Sequence, residues 1–271
     1  MTGAIGGFDH IIIGVADLDA ACEAYRRLGF TLSPQGRHIG WGTANYCIMF
    51  ESYYLELLGI LDASQFTNNL DKRLEEKGEG LLGVSYATDD ADAVFAQLSA
   101  LSALGAEPPK DLKRLLDLPE GTVELAFRLV HLPPEATPGA PGFLCQHLSR
   151  DLVWRDDWRQ HSNGAVSVAA VTVRVGDLEQ SAAAYSELFG SGAVSRRDAE
   201  VSIKVGGGEL RLLPAGPEAP EGPERMDVAA EDLGRTAEVL SRAGVTHQRT
   251  DRRISVAVEE ACGVALGFVP A

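Results

Sequence analysis

A few side chains in this 271-residue sequence combine a reactive type with a setting that asks for an explanation. Glu56 stands between Leu55 and Leu57 in the otherwise apolar run Tyr53 to Ile60. A carboxylate turned inward on such a strand needs a partner. His10 follows Asp9 at the head of the run Phe8 to Val15, where it is either a functional imidazole or a solvated or satisfied core histidine. Gln146 and His147 are neighbours on the run Phe143 to Leu148, so they face opposite sides of a strand and only one of them enters any cavity. Arg128, on the run Val123 to Leu132, binds a substrate carboxylate if it faces a cavity and is a surface arginine if it does not. His38, Trp41, Thr43 and Asn45 sit in a glycine-rich stretch that either covers a pocket mouth or is simply a hydrogen-bonded turn.

Other chemistries drop out. There is no GxSxG elbow, no HExxH and no GxxxxGK phosphate loop, and Gly206-Gly207-Gly208 reads as a hairpin turn. Cys22, Cys47, Cys145 and Cys262 are scattered without a CxxC pair, which describes buried free thiols. The net charge of -15 argues against nucleic acid, whose phosphates need clustered Lys and Arg. No segment reaches the ~20 apolar residues of a membrane helix, and Met1 to Gly7 lacks the basic and apolar regions of a signal peptide. A cytoplasmic protein with a small-molecule substrate is expected.

The elements that position these residues emerge from internal repetition. The run Phe8 to Val15 leads into Asp17-Leu18-Asp19, a helix through Ala21 and Tyr25, and a glycine stop at Leu28-Gly29-Phe30. The same succession recurs as Val171 to Val175, Asp177-Leu178-Glu179, a helix through Ala183 and Tyr185, and Leu188-Phe189-Gly190. Two fainter copies begin at Leu82 to Ala87, with a helix to Leu104-Gly105, and at Met226 to Ala229, with a helix to Ala243-Gly244. Alternating or apolar runs follow each helix. One such unit cannot bury its sheet face alone. The expected fold is therefore α+β: four tandem βαβββ modules pairing into two barrel-like curved sheets with helices outside, in halves 1–155 and 164–271.

The motifs Phe8-Asp9-His10 with Asp17-Leu18, and Tyr54-Leu55-Glu56-Leu57, resemble the vicinal oxygen chelate superfamily of glyoxalases, bleomycin-resistance proteins and extradiol dioxygenases. The first half looks closer still to its glyoxalase-like domain branch. Gly36-Arg37-His38, Gly40 to Asn45, Gly78-Glu79-Gly80-Leu81, Cys145-Gln146-His147 with Trp154 and Trp158, and His161 to Ala165 carry that likeness.

The resemblance implies a divalent metal (Fe, Zn, Mn, Ni or Co) held by side chains from the first and fourth strands of paired modules. His10 falls on the first-strand position and Glu56 on the fourth, with Glu56 also the candidate catalytic base. In module two the first-strand counterpart falls near Gly83 or Val84, neither a ligand, and the fourth strand offers Gln146 or His147. His147 inward would complete a two-His, one-carboxylate triad suited to a dioxygenase. Gln146 inward, which alignment with Tyr54-Leu55-Glu56 favours, suits a lyase or isomerase that polarises a carbonyl. His38, Trp41, Thr43, Asn45, Tyr54 and Arg128 are the expected substrate contacts. In the second half Ala170 replaces His10, Arg211 replaces Glu56 and Gly267 stands where relatives often hold Glu. That half is expected to be metal-free and structural, shaping the pocket or a homodimer interface. The competing reading is a metal-free protein that sequesters a hydrophobic small molecule under His38, Trp41 and Tyr54. Trp154 and Trp158 are expected at the junction of the halves, with His161 and Asn163 as linker or cap. His131 and His247 have no partner that the sequence names.

Overall fold

The computed structural model describes residues 5–100 and 105–271. Its first half runs β1 (Phe8–Gly14), α1 (Leu18–Arg27), β2 (Gly36–His38), β3 (Thr43–Met49), β4 (Tyr54–Ile60), α2 (Leu70–Lys77), β5 (Gly80–Ala87), α3 (Ala91–Ala100), β6 (Lys110–Leu118), β7 (Gly121–His131) and β8 (Gly142–His147). The second runs β9 (Ala165–Val175), α4 (Leu178–Phe189), β10 (Val194–Arg197), β11 (Glu200–Val205), β12 (Gly208–Pro214), β13 (Gly222–Ala230), α5 (Leu233–Arg242), β14 (His247–Arg249), β15 (Ile254–Val256) and β16 (Ala265–Pro270). The expected four modules are present, with α2 inserted after the first. Of the helix expected to reach Leu104-Gly105, α3 is described as far as Ala100, and residues 101–104 lie outside the described residues.

Aspartate caps start the helices as the repeats suggest. Asp17 accepts from the amides of Asp19 and Ala20, Asp177 from Gln180, and Asp232 from Gly234 and Arg235. Each satisfies an otherwise orphaned donor, about 1 kcal/mol of helix stability. Gly29, at φ +88°, supplies the left-handed turn that stops α1.

The two halves close differently. The first sheet is a closed barrel in the order β1-β4-β3-β2-β6-β7-β8-β5, sealed where β2 pairs with β6. The second is an open sheet in the order β10-β11-β12-β9-β13-β16-β15-β14. Its edge strands carry exposed Arg196, Arg197 and Arg249, charges that discourage pairing with another chain.

Two apolar clusters follow from the alternation. One fills the lower part of the barrel with Cys47, Met49, Tyr54, Leu116, Leu125, Phe127 and Leu129. The other lies between sheets and helices and draws on both halves, joining Ile11, Tyr25, Leu55 and Tyr86 to Val171, Tyr185, Leu210 and Phe268. The linker is tied in by polar groups. The Thr31 amide donates to His161 Nδ1 at 3.1 Å, His161 Nε2 meets the Met49 carbonyl at 3.1 Å, and the Asn163 amide donates to the Leu28 carbonyl at 2.9 Å. Trp154 and Trp158 pack on the barrel's own cluster, so they close its base.

Register decides which side chains share the barrel interior. In the parallel pair β1–β4, His10 lies opposite Tyr54 and Ile12 opposite Glu56. Against β5, Phe8 is opposite Tyr86 and His10 opposite Ser85, which leaves Asp9 as an extra, bulged residue on β1. A bulge lets two consecutive side chains turn to one side of a sheet.

Candidate active site

The barrel interior above its apolar floor is a cavity of about 280 Å³. His10 and Ile12 of β1, Tyr54, Glu56 and Leu58 of β4, Thr43 and Asn45 of β3, His38 of β2 and Arg114 of β6 line it. Asn68 and Arg73, exposed on the segment leading into and through α2, also line it and mark its opening.

A continuous chain of buried polar groups crosses this interior. His10 Nε2 lies 3.5 Å from Glu56 Oε2, and the ring's other nitrogen, Nδ1, is 2.6 Å from Asp9 Oδ1. The second carboxylate oxygen of Asp9 lies 3.1 Å from His147 Nε2. On the far side, the Asn45 amide donates to Glu56 Oε1, and Arg114 Nη1 donates to Asn45 Oδ1 at 2.8 Å and meets Cys47 Sγ at 3.3 Å. The order is thus Arg114, Asn45, Glu56, His10, Asp9, His147.

Burial alone would raise both carboxyls in this chain, and their neighbours reverse it. His147 and His10 hold Asp9 well below the usual carboxylate range. For Glu56, burial is outweighed by His10, His38, the Asn45 hydrogen bond and Arg114, so it stays ionised. His38, whose Nδ1 is 2.9 Å from Thr43 Oγ1, is pushed down to about 4, chiefly by burial. It is therefore a neutral imidazole at neutral pH. Tyr54 stacks on His10 with ring centroids 4.9 Å apart and fixes its plane. Burial pushes the Tyr54 hydroxyl well above its ordinary value.

The structure brings together His10, Glu56, His38, Trp41, Thr43, Asn45 and Tyr54 around one cavity. It places three of the expected residues elsewhere. Gln146, favoured by alignment as the inward residue, is on the outer face of β8. There its amide donates to the Asp89 carbonyl at 2.7 Å and its oxygen accepts from the Ala91 amide at 3.0 Å, capping the start of α3. Phe143 and Cys145 line the cavity instead, because the strand's alternation runs one residue out of phase with that alignment. His147 shares the inward phase but lies below the cavity, its side chain 4% exposed against Phe127 and Trp154. Asp9 occupies its Nε2, so it does not complete a triad with His10 and Glu56. Arg128 faces outward, paired with Asp92 and Asp111.

On β5 Ser85 lies directly opposite His10, and neither it nor Gly83 or Val84, the expected counterparts of His10 in module two, offers an imidazole or carboxylate. The sequence reading also missed two contributors. Asp9 needs the bulge, which no local pattern announces. Arg114 lies on β6, a strand the sequence does not announce: Leu112, Leu116 and Leu118 share its phase, but Leu115 on the other phase blurs the alternation between Lys113 and Asp117.

Whether this interior suits a divalent metal follows from donor spacing. Among the described residues, Asp9, His10 and Cys145 bring ligand atoms within 4.8 Å of one another. At 2.6 Å, however, Asp9 Oδ1 and His10 Nδ1 share a charge-assisted hydrogen bond. The 3.5 Å between His10 Nε2 and Glu56 Oε2 is instead the separation of two donors each about 2.0–2.2 Å from one ion. Asp9 then stands where outer carboxylates orient a ligating imidazole. The His10–Glu56 pair fits a metal, and no second imidazole from β5 or β8 lines the cavity to join it.

The glyoxalase-like domain family matches residues 8–189, and the glyoxalase/bleomycin resistance protein/dioxygenase superfamily matches residues 167–265. The chain thus belongs to the glyoxalase-like domain family, within the vicinal oxygen chelate superfamily. The comparison with curated proteins gives no match. Among solved structures, a hypothetical protein from Staphylococcus aureus is similar at a TM-score of 0.74 and 17% identity, covering 97% of this chain and 99% of that one. A triple mutant of 4-hydroxymandelate synthase from Streptomyces coelicolor is similar at a TM-score of 0.62 and 13% identity, covering 98% and 93%. A xylose isomerase-like TIM barrel/4-hydroxyphenylpyruvate dioxygenase fusion protein is similar at 0.65 and 12%, covering 100% of this chain, which spans 49% of it. At these identities the likeness concerns the fold.

Proposed function

We propose that this member of the glyoxalase-like domain family is an enzyme acting on a small molecule with adjacent oxygens, in which His10 and Glu56 hold a divalent metal ion. The observation that carries the reading is the 3.5 Å His10–Glu56 pair, facing a cavity and backed by Asp9 on the ring's other nitrogen. Bound there, the ion supplies Lewis-acid polarisation of a substrate oxygen. The chain supplies the rest. Asp9 keeps a proton on His10 Nδ1, which leaves the Nε2 lone pair to ligate. Asn45 fixes the rotamer of Glu56 through Oε1 and leaves Oε2 as the oxygen that ligates or takes up a proton. Neutral His38, with Nδ1 occupied by Thr43, presents its other nitrogen to the cavity as a hydrogen-bonding group or a third donor. Trp41, packed edge-on against Phe66 at 5.0 Å, walls the same cavity.

Lyase, isomerase and dioxygenase chemistry share this donor pair. The inaccessibility of His147 favours the first two over the triad-dependent third. The metal-free binding protein is supported by the missing ligands on β5 and β8. Metal analysis of chain purified without chelators decides between them. About one Fe, Zn, Mn, Ni or Co per wild-type chain, lost in His10→Ala with Glu56→Ala, is the expected result. No metal in wild type after reconstitution would sink the enzyme reading and leave the binding protein.

A further inference from the structure

We infer that the cavity binds its substrate through a carboxylate held on Arg114. This rests on reading the His10–Glu56 cavity as the working site. Arg114 is 2% exposed and lines the cavity, where its guanidinium lies 5.6 Å from the Phe127 ring centroid, yet among the described residues no carboxylate lies within ion-pair distance of it. Its Nη1 is engaged by two neutral acceptors, the Asn45 carbonyl oxygen and the Cys47 sulfur, and burial pushes the Cys47 thiol up, away from a thiolate. Nε has no partner. A buried guanidinium whose nearest counter-charge, Glu56, is held off by an intervening side chain is costly to keep, and interiors keep such charges where a ligand completes them.

Other arginines on the sheets make a direct contrast. In the second half, Arg211 and Arg253 both reach Asp227, and the outward Arg128 of β7 reaches Asp92 and Asp111. At Arg114, by contrast, Asn45 stands between cation and carboxylate, its oxygen on Arg114 and its nitrogen on Glu56. Gly36 leaves Arg114 its place, since a Cβ there would lie 2.6 Å from Arg114 Cδ. A planar fork with free donors matches a carboxylate. Bound there, the carboxylate lies one asparagine side chain away from Glu56 and His10, so the substrate is a small acid whose remaining oxygens point toward that pair. Exposed Arg73 at the opening adds positive charge along the approach.

The test is thermal unfolding of the full chain with acetate, propionate, benzoate or phenylacetate against the matching amides, for wild type and Arg114→Met, with metal content read on the same preparations. At least one carboxylate is expected to raise the wild-type Tm by about 2 °C or more over its amide, with no such response in Arg114→Met. Should circular dichroism show Arg114→Met unfolded, Arg114→Gln, which keeps a donor toward Asn45, replaces it. No carboxylate outperforming its amide, or an undiminished response in the variant, overturns the inference. A carboxylate response in a metal-free wild type removes the metal reading alone. A metal-loaded wild type without that response removes this inference alone.

Discussion

The two halves of the chain carry the same strand register and opposite interiors. In the first, His10 lies opposite Tyr54 and Ile12 opposite Glu56; in the second, Ala170 lies opposite Glu209 and Thr172 opposite Arg211. Ala170 and Arg211 thus stand at the positions of His10 and Glu56, as the sequence alignment of the halves expected. The second interior is self-neutralised. Asp227, 3% exposed, takes Arg253 at 2.5 Å and Arg211 at 3.3 Å, and Arg253 fills the space beside Gly267, where a Cβ would lie 2.1 Å from its Nη2. The first interior leaves a donor pair and a guanidinium facing an open cavity. On the same scaffold the second half's inward arginines meet a carboxylate directly, whereas Arg114 of the first half does not.

The largest contrast is expected from removing the pair at the two equivalent positions. His10→Ala with Glu56→Ala abolishes metal content and any activity measured on the chain, whereas Ala170→Gly with Arg211→Leu leaves both within about twofold of wild type, by mass spectrometry and turnover assay. Equal losses from both double variants would erase the distinction between the halves. Next in size, Asp227→Ala strands two partly buried arginines and is expected to lower stability by about 2–3 kcal/mol in urea unfolding, without changing metal content. A change in metal content there would mean that the second interior serves the site directly.

A smaller effect is expected of Gly36→Ala. The new methyl group meets Asn45 Oδ1 at 2.5 Å and Arg114 Cδ at 2.6 Å, so it displaces both side chains. About 1–2 kcal/mol of stability is lost, together with the carboxylate response. Retention of that response would separate Gly36 from the site. The smallest is a pH effect at the junction. His161 is pushed down to about 4 by burial, so the unfolded chain takes up its proton first as pH falls through 6.5. The stability contributed by neutral His161 is present above 6.5, falls as pH drops toward 4, and is reduced by about 1 kcal/mol at pH 5.5. His161→Gln should flatten that part of the stability profile; an unchanged slope between pH 6.5 and 4 would assign it to other groups.

Much of this molecule was legible from local pattern. Aspartate caps, glycine stops and period-two alternation announce four strand–helix units, because each signal is satisfied within a few residues of itself. The same alternation put Glu56 on an inward phase and aligned Ala170 and Arg211 with His10 and Glu56. What the tertiary structure decided depends on pairing between distant strands. Whether Gln146 or His147 turns inward is a one-residue question of phase on β8, and a one-residue slip exchanges every side chain between faces. Asp9 reaches the interior only because β1 bulges against β5, more than seventy positions further along the chain. Arg114 meets Asn45 only because β2 pairs with β6 and closes the first sheet, a closure that the exposed, arginine-bearing edges β10 and β14 do not make in the second. A sequence fixes which residues prefer an interior; which interior they enter, and whom they meet there, is set by contacts between strands far apart in the chain.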